Sequence, residues 1–232
     1  MESARAIDRE SIVSDEVRDS SDSGRRIVAA FDLDKTLTTR DCVLPFLWRA
    51  GRWGFAGRLV VRLPALVVAG LRRDRDTAKA ILTRSALRGR RATDVDELGR
   101  RFADHVVATW MRPDTTARLR WHLGSGHDVV IVSASYETYV RHIADRIGAR
   151  AALATRVGID SAGLCTGSLE GANCRGSEKV SRIRAWFADE GFVPEIVYAY
   201  GDSSGDRHLL EMASHPHLVG KTLLADRPEA SS

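Results

Sequence analysis

The feature that most constrains this chain is the stretch IVAAFDLDKTLT at residues 27–38. Its mostly apolar first five residues, Ile27 to Phe31, predict a β-strand buried on both faces, as in a parallel sheet covered by helices. Asp32 and Asp34 follow, at the carboxyl end of the strand, which is where α/β sheets bind ligands. An ordinary turn is the alternative interpretation. Two carboxylates at this position suit a nucleophile and an acid/base that act on one phosphate group.

The rest of the chain alternates strand and helix patterns, as a parallel sheet requires. Apolar runs at residues 127–133 and 195–200 predict two more strands. Residues 136–147 and 178–190 have the spacing of amphipathic helices. Residues 152–171, with a turn at Ser161-Ala162-Gly163, predict a hairpin beside the main sheet. We therefore predict an α/β fold with a Rossmann-like parallel sheet core.

One segment, residues 42–112, interrupts this alternation between the first and second strands. It contains several helical patterns, two prolines and almost no strand signal. We interpret it as a helical domain inserted into the core. The core then comprises residues 25–41 and 113–225, and the polar ends, residues 1–24 and 226–232, are predicted to be disordered tails.

The charge of the chain is concentrated in this insert. It has 15 Lys/Arg against 6 Asp/Glu, a net charge of +9, whereas the whole chain carries +4. A basic cover favours an anionic ligand. We do not expect nucleic acid to be that ligand, because the arginines are scattered through apolar helices and no recognition-helix motif or aromatic cluster accompanies them.

An apolar run from Leu59 to Leu71 raises the question of membrane contact. Arg62 and Pro64 interrupt it, and it is shorter than the roughly 20 residues that a span needs. We therefore favour a packed helix of the insert and leave a peripheral membrane contact open.

The three cysteines form no CxxC pair, and no signal-peptide pattern is visible, so we expect a reducing cytoplasm and neither a disulfide framework nor a zinc site.

Polar residues that suit phosphate chemistry follow the other predicted strands. Ser133 ends the second strand, where its hydroxyl is positioned to hold a phosphoryl oxygen, and Lys179 begins a helix. Asp202 and Asp206 flank a glycine-rich turn after the third strand, which suits Mg²⁺. Taken singly, the serine also fits a helix cap, the lysine a solvated side chain and the two aspartates an ordinary turn. Their joint placement at strand and helix ends favours a phosphate and metal site.

These motifs resemble those of a known family. FDLDKT, VIVSAS, a lysine before an amphipathic helix, and YGDSSGD are similar, in this order, to the four motifs of the haloacid dehalogenase-like hydrolases. FDLDKTLTTRD with YGDSSGDRHLL resembles the phosphoserine-phosphatase-like branch, whose helical cap lies between the first and second motifs. The resemblance covers about residues 27–220, and it implies that residues 42–112 are this cap.

The resemblance also implies a role for each motif residue. Asp32 would be the nucleophile that forms an aspartyl-phosphate, and Asp34 would protonate the leaving oxygen and then activate water. Ser133 and Lys179 are the implied phosphate-binding residues. The implied Mg²⁺ ligands are the carboxylates of Asp32 and Asp202 and the backbone carbonyl of Asp34. Asp206 is implied as a further ligand or as a residue that supports the ligands.

Two positions depart from the family pattern. Related sequences often carry Asn before the last aspartate of the fourth motif, where this chain has Gly205. The third motif also offers two cations, because Arg175 lies four residues before Lys179. We favour Lys179.

The substrate is less constrained. Asp41 lies nine positions after Asp32, at the offset where phosphoserine phosphatases bind the substrate ammonium group, and it fits the start of a cap helix equally well. Lys79 and Arg84 are candidate partners for a substrate carboxylate. Phosphoserine, histidinol phosphate, phosphoamines and lipid-derived phosphates all stay open. An apolar cap entrance favours a larger or less polar leaving group, and its predicted residues are Leu44, Phe46, Leu47 and Trp48.

We therefore predict a Mg²⁺-dependent hydrolase of a small phosphate ester, with a cap that opens to admit substrate and closes to exclude water. A catalytically idle phospho-ligand binder or scaffold of the same fold is the alternative. Turnover of a phosphate ester distinguishes the two, and stimulation of turnover by added alcohols would indicate phosphoryl transfer to an acceptor other than water.

Overall fold

The computed structural model describes residues 26–72 and 74–220. Its six strands are β1 (Ile27–Phe31), β2 (Asp128–Tyr136), β3 (Ala151–Ile159), β4 (Cys165–Glu170), β5 (Ile196–Gly201) and β6 (His215–Leu218). They form one sheet in the order β4-β3-β2-β1-β5-β6. Only the β3–β4 pair is antiparallel among the neighbouring strands. The predicted α/β fold with a parallel sheet core is confirmed. The predicted tails, residues 1–24 and 226–232, lie outside the described residues.

Seven helices connect these strands within the described ranges. They are α1 (Val43–Leu71), α2 (Arg75–Leu87), α3 (Ala92–Thr109), α4 (Pro113–Gly124), α5 (Glu137–Ile147), α6 (Ser177–Asp189) and α7 (Arg207–Met212). The first three lie between β1 and β2, within residues 42–112. The remaining helices alternate with strands, which accounts for the parallel pairing, because parallel neighbours need a crossover connection.

The central strand β1 is covered on both faces. Ala29 and Phe31 belong to one buried cluster, which includes residues of the insert, and Val28 and Ala30 belong to a second cluster beneath α6. Alternate residues of a strand point to opposite faces, so this division follows directly from the period of two. The prediction of a strand buried on both faces is confirmed.

The insert shares its core with the sheet. The rings of Phe46 on α1 and Phe102 on α3 lie 4.8 and 5.1 Å from the ring of Tyr139 on α5. Phe46 and Leu47 are fully buried, so their predicted place at an apolar entrance is wrong. They lie on the side of α1 that faces the hydrophobic core, whereas Leu44 and Trp48 are about half exposed.

The second half of α1 is packed on one side only. Phe55 and Ala69 are buried, whereas Val60 and Val61 are 72% and 82% exposed. The interpretation of this segment as a packed helix therefore holds for one stripe of side chains. The 18-residue window Gly54–Leu71 has a mean hydropathy of 1.6 and is 11% buried. By length and composition alone it is the one membrane-span candidate found in the described part of the chain.

The predicted hairpin is confirmed. Strands β3 and β4 pair antiparallel, with Ile159 opposite Cys165. Gly163 in the connecting turn has a φ of 75°, a left-handed conformation that glycine adopts without steric cost. The hairpin extends the main sheet as its edge.

Candidate active site

The chain turns sharply where β1 ends. The Asp32 amide donates a hydrogen bond to the Tyr200 carbonyl on β5 at 2.9 Å, and residues Leu33–Leu37 then form a wide turn. Lys35 in this turn has a φ of 62°, which costs a non-glycine residue roughly 1–3 kcal/mol. The Lys35 amide donates to the Thr38 hydroxyl at 3.3 Å. The turn brings both Asp32 and Asp34 to one cleft at the carboxyl ends of the strands.

A buried lysine joins two carboxylates at the centre of this cleft. The Nζ atom of Lys179 donates to Asp32 Oδ1 and to Asp206 Oδ1, each at 2.6 Å. The second oxygen of Asp206 accepts hydrogen bonds from the Ser203 amide at 3.0 Å and the Ser203 hydroxyl at 2.8 Å. Gly201 permits this approach, because a Cβ there would lie 2.4 Å from the Asp206 Cβ. The geometry joins the ends of β1, α6 and β5.

Burial and charge act against each other in this group. Burial lowers the pKa of Lys179, but the Asp32 and Asp206 carboxylates together raise it by more. The pKa of Lys179 therefore lies above its ordinary value, and the side chain stays protonated. Burial raises the pKa of Asp32 to about 7, Lys179 opposes this rise, and the nearby carboxylates of Asp206 and Asp34 add to it. The cleft is therefore short of positive charge.

Three carboxylates converge where a metal ion would relieve this shortage. Asp32, Asp202 and Asp206 each offer an oxygen, and these oxygens lie within 4.8 Å of one another. Burial also raises the pKa of Asp202. Carboxylate oxygens are the ligands that Mg²⁺ prefers, and a divalent cation favours their charged forms. The donor set fits Mg²⁺, with Asp206 inside the group; the Asp34 carboxylate is not among the three.

The Asp34 carboxylate has other partners. Its Oδ1 accepts a hydrogen bond from the Cys42 amide at 2.8 Å, and its Oδ2 accepts one from the Ser135 hydroxyl at 2.5 Å. The Tyr139 hydroxyl donates in turn to Ser135 Oγ at 2.7 Å. Burial raises the pKa of Asp34 to about 6, Asp41 adds to the rise, and the two hydrogen bonds oppose it. Such a group exchanges a proton near neutral pH.

The two candidate phosphate ligands also lie in this cleft. Ser133 is buried at its wall, and its Oγ accepts a hydrogen bond from the Ser135 amide at 3.1 Å. Lys179 contacts Asp32, whereas Arg175 lines the cleft and lies beside Gly205. A Cβ at Gly205 would be 3.1 Å from Arg175 Nε. Because this position is Gly205 rather than the Asn often found in related sequences, the Arg175 side chain has room beside it.

The residues predicted to contact the substrate do not all lie in the cleft. Asp41 lines the cleft, and its Oδ1 also accepts from the Val43 amide at 2.9 Å at the start of α1, so both interpretations of Asp41 agree with its position. Lys79 is buried, and its Nζ donates to the Ala134 carbonyl, to Thr155 Oγ1 and to Asn173 Oδ1.

These three acceptors use all three protons of the Lys79 ammonium group. Burial lowers the pKa of Lys79 to about 8. Neither Lys79 nor Arg84 is among the described residues that line the cleft. Arg84 lines a separate hollow between α2 and β4, together with Arg62.

Comparison with known proteins agrees with this geometry. The family model for haloacid dehalogenase-like hydrolases matches residues 29–211, most of the chain. The chain belongs to the haloacid dehalogenase-like hydrolases. It is a phosphatase-like hydrolase of this family, as the sequence predicted.

Similar proteins include CicA of Caulobacter vibrioides, which is 38% identical over 190 residues that cover 81% of this chain and 83% of CicA. A Mycobacterium tuberculosis protein named as a probable phosphatase is 31% identical over 200 residues, 84% of this chain and 69% of that protein. A solved structure of substrate-bound phosphoserine phosphatase shares the fold with a TM-score of 0.55 at 18% identity, over 81% of this chain and 83% of that one.

Sequence reasoning missed several residues of this cleft. Ser135 lies two positions after Ser133, on the same face of β2, so the alternation in VIVSAS was the available signal. Ser135 is buried behind the cleft and contacts Asp34, whereas Arg75, at the start of α2, and Lys35 line the cleft itself. The net positive charge of the insert was the only sequence signal for Arg75, and no pattern distinguished it from the other arginines.

Proposed function

We propose that this protein is a Mg²⁺-dependent phosphomonoesterase that hydrolyses a small phosphorylated metabolite through an aspartyl-phosphate on Asp32. The observation that carries the proposal is the junction of Lys179 with Asp32 and Asp206, next to Asp202, in a buried cleft. A carboxylate nucleophile and an anionic phosphate repel each other, so their reaction needs concentrated positive charge. Membership of the hydrolase family and a relative named as a probable phosphatase support the same function.

In the proposed reaction, an Asp32 oxygen attacks phosphorus, the ester P–O bond breaks, and the leaving oxygen takes the proton of Asp34. Water then attacks the phosphorus of the aspartyl-phosphate, Asp34 accepts a proton from this water, and inorganic phosphate leaves with Asp32 restored. The raised pKa of Asp34 supports both of its roles. Mg²⁺ at Asp32, Asp202 and Asp206, with the Asp34 carbonyl, would supply charge that offsets the repulsion.

Ser133 and Lys179 would donate hydrogen bonds to the phosphoryl oxygens. Each is almost fully buried at the wall of the cleft, which supports this role, since a donor held in a dry site needs no rearrangement when charge develops. Lys179 is the cation that we assign to the third motif, because it contacts the nucleophile directly.

Helices α1 to α3, within residues 42–112, would act as a cap on the core formed by residues 25–41 and 113–225. Asp41, just before the insert, and Arg75 of α2 line the cleft, which supports this role. The cleft has a volume of about 160 Å³, smaller than the roughly 300–1,000 Å³ of ordinary ligand pockets. A substrate larger than a phosphoryl group would therefore require the insert to move.

The substrate would be an amine-bearing phosphate ester of the phosphoserine, histidinol-phosphate or phosphoamine type. Asp41 is the residue that would contact the ammonium group, because it is a carboxylate at the rim of the cleft. Arg75 is the rim cation that would contact a substrate carboxylate, because Lys79 already has three hydrogen-bond acceptors. We expect Asp41→Ala to remove a substrate preference of about tenfold.

The test is phosphate release from p-nitrophenyl phosphate and from a panel that includes phosphoserine and histidinol phosphate. Asp32→Asn should lower kcat by about 10³-fold or more, because the nucleophile is lost. EDTA should abolish turnover, and Mg²⁺ should restore it. Asp189→Asn, at an exposed carboxylate of α6, is the matched control and should leave kcat unchanged. Binding of a phosphate ester without turnover in millimolar Mg²⁺ would instead favour the idle phospho-ligand binder or scaffold.

A further inference from the structure

The exposed side of α1 is an apolar surface without a partner in the described part of the chain. We define it by six side chains that are each at least 46% exposed: Val60, Val61, Leu63, Val67, Val68 and Leu71. These residues cover about three turns of one helix, and we call them the α1 apolar surface. Soluble monomers rarely expose contiguous apolar patches of this kind unless something binds there.

The opposite side of the same helix accounts for its packing. Phe55, Leu59, Leu66 and Ala69 follow a spacing of three, four and seven residues and are buried or half-buried. This spacing defines one stripe of an α-helix, and contacts between α1 and α2 account for its burial. The α1 apolar surface lies outside this stripe, so packing of the insert leaves it exposed.

The charge of α1 indicates what could cover this surface. Residues 43–71 contain four arginines and no Asp or Glu, and Arg72 follows the helix with an exposed side chain. The nearest carboxylates, Asp74 and Asp76, already accept hydrogen bonds from Thr77 and Asn173. Two copies of this helix would bring together segments of like net charge, whereas an anionic lipid surface supplies both negative charge and an apolar layer.

The geometry favours a helix that lies on a membrane rather than one that spans it. Eighteen residues of α-helix are about 27 Å long, close to the roughly 30 Å hydrocarbon thickness. Arg58 and Arg62 lie within this length, however, and both face the protein: Arg58 Nε donates to the Ser85 carbonyl on α2, and Arg62 lines the hollow between α2 and β4. Phe55 and Ala69 on the same side are buried against the rest of the insert. A helix with one apolar side exposed and the other side packed on the protein suits interfacial binding.

We propose that the α1 apolar surface docks on the surface of an anionic membrane. Leu71 is four residues before Arg75, which lines the cleft, so their Cα atoms are separated by at most roughly 14 Å. Docking therefore brings the rim of the cleft close to the lipid headgroups. The interaction does not depend on the phosphatase activity proposed above.

The test is flotation of the full chain with vesicles of phosphatidylcholine containing phosphatidylglycerol, and with vesicles of phosphatidylcholine alone. We expect binding to the anionic vesicles that weakens with added salt. The double variant Val61→Glu/Val68→Glu should lower the bound fraction at least about tenfold, because it places two charges in the apolar layer. Both substitutions are at exposed positions, so the circular dichroism spectrum and Tm should be retained.

The matched control is Val193→Glu/Leu218→Glu, which changes two apolar side chains away from α1 that are 89% and 70% exposed, and it should bind vesicles as the original chain does. Absence of binding to anionic vesicles would overturn the proposal. A concentration-dependent dimer that the α1 double variant abolishes, without vesicle binding, would assign the surface to a second copy instead. Equal loss of binding in the control would attribute the effect to net charge alone and also overturn it.

Discussion

Two regions of this molecule reverse the usual division between a polar surface and an apolar interior. In the cleft, Asp32, Lys179 and Asp206 carry ionisable side chains that are almost fully buried. On α1, Val61 and Leu71 are apolar and about 80% exposed. Buried charges and large exposed apolar patches are the informative exceptions to ordinary side-chain placement.

The two exceptions are resolved differently. In the cleft, Asp32, Lys179 and Asp206 have hydrogen-bond partners inside the chain, although the cleft remains short of positive charge. The α1 apolar surface has no such partner among the described residues. The fold therefore positions the side chains of the cleft by itself, whereas covering the α1 apolar surface requires a second component. Changes in one region should therefore leave the other unaffected.

The largest effect is expected for Lys179→Met. Removal of one partner leaves two buried carboxylates without their cation, and we expect the free energy of unfolding in EDTA to fall by about 3–5 kcal/mol. Turnover should be lost, while vesicle binding through α1 is retained. Urea unfolding followed by circular dichroism measures the first effect.

The double variant Lys179→Met/Asp206→Asn is the control for this prediction. It removes one of the uncompensated charges and should recover part of the lost stability without recovering turnover. A single variant as stable as the original chain would contradict the view that Lys179 holds the two carboxylates together.

Two glycines distinguish a packed helix surface from an exposed one. A Cβ at Gly99 on α3 would lie 2.2 Å from the Thr138 carbonyl oxygen, whereas Gly57 on α1 has nothing within 4 Å. We expect Gly99→Ala to destabilise the fold by about 2 kcal/mol through forced separation of α3 and α5. Gly57→Ala should stabilise it by about 0.5–1 kcal/mol through helix propensity. Tm values of the two variants that shift in the same direction would contradict this.

Much of the cleft follows from local sequence pattern. Apolar runs identified β1, β2 and β5, and parallel strands present their carboxyl ends at one edge of a sheet, so Asp32, Ser133 and Asp202 were expected to lie together. The position of each residue just after its strand was sufficient for this prediction, because all strands of a parallel sheet end at the same edge.

The remaining features depend on tertiary packing, which one sequence does not reveal. Lys79 looked available to substrate, but its three acceptors come from distant parts of the chain. The apolar composition of α1 fits a buried helix as well as an exposed one. Phe46 lies on the side of the helix that faces the core and Val61 on an exposed side, although both residues are apolar. Strand β6 has the sequence HPHL, which is too short and polar for a strand prediction.

A buried histidine cluster lies away from the cleft, and its contribution to stability depends on pH. His122 on α4 is fully buried, with Nε2 2.9 Å from the Tyr200 hydroxyl and Nδ1 2.8 Å from His127 Nδ1. Burial lowers the pKa of His122 to about 3, and the nearby His127 and Arg118 add to this effect. The cleft pairs its charges, whereas this cluster keeps its imidazole neutral.

The contribution of His122 to stability should therefore fall on acidification, in the opposite sense to the contributions of Asp32 and Asp34, whose pKa values are raised. Above pH 6.5 both folded and unfolded chains hold His122 neutral, and below it only the unfolded chain takes up the proton. We expect the His122 contribution alone to fall by about 2 kcal/mol between pH 6.5 and pH 5. Urea midpoints across this range should show a smaller slope for His122→Gln, whereas His105→Gln, at an exposed histidine, should keep the original slope. Equal slopes in all three proteins would contradict this account.

The smallest loss of turnover is expected for Ser135→Ala, which tests how the proton of Asp34 is controlled. The Ser135 hydroxyl donates to Asp34 Oδ2, and this bond favours the ionised carboxylate. Its loss should raise the pKa of Asp34, shift the corresponding limb of the kcat profile to higher pH, and lower kcat by about tenfold. Tyr139→Phe keeps the bond from Ser135 to Asp34 and should produce a smaller shift of the same sign. A lowered kcat with an unmoved pH profile would mean that Ser135 positions the backbone of β2 rather than the proton of Asp34. Because neither residue contacts the α1 apolar surface, vesicle binding should be the same for both variants.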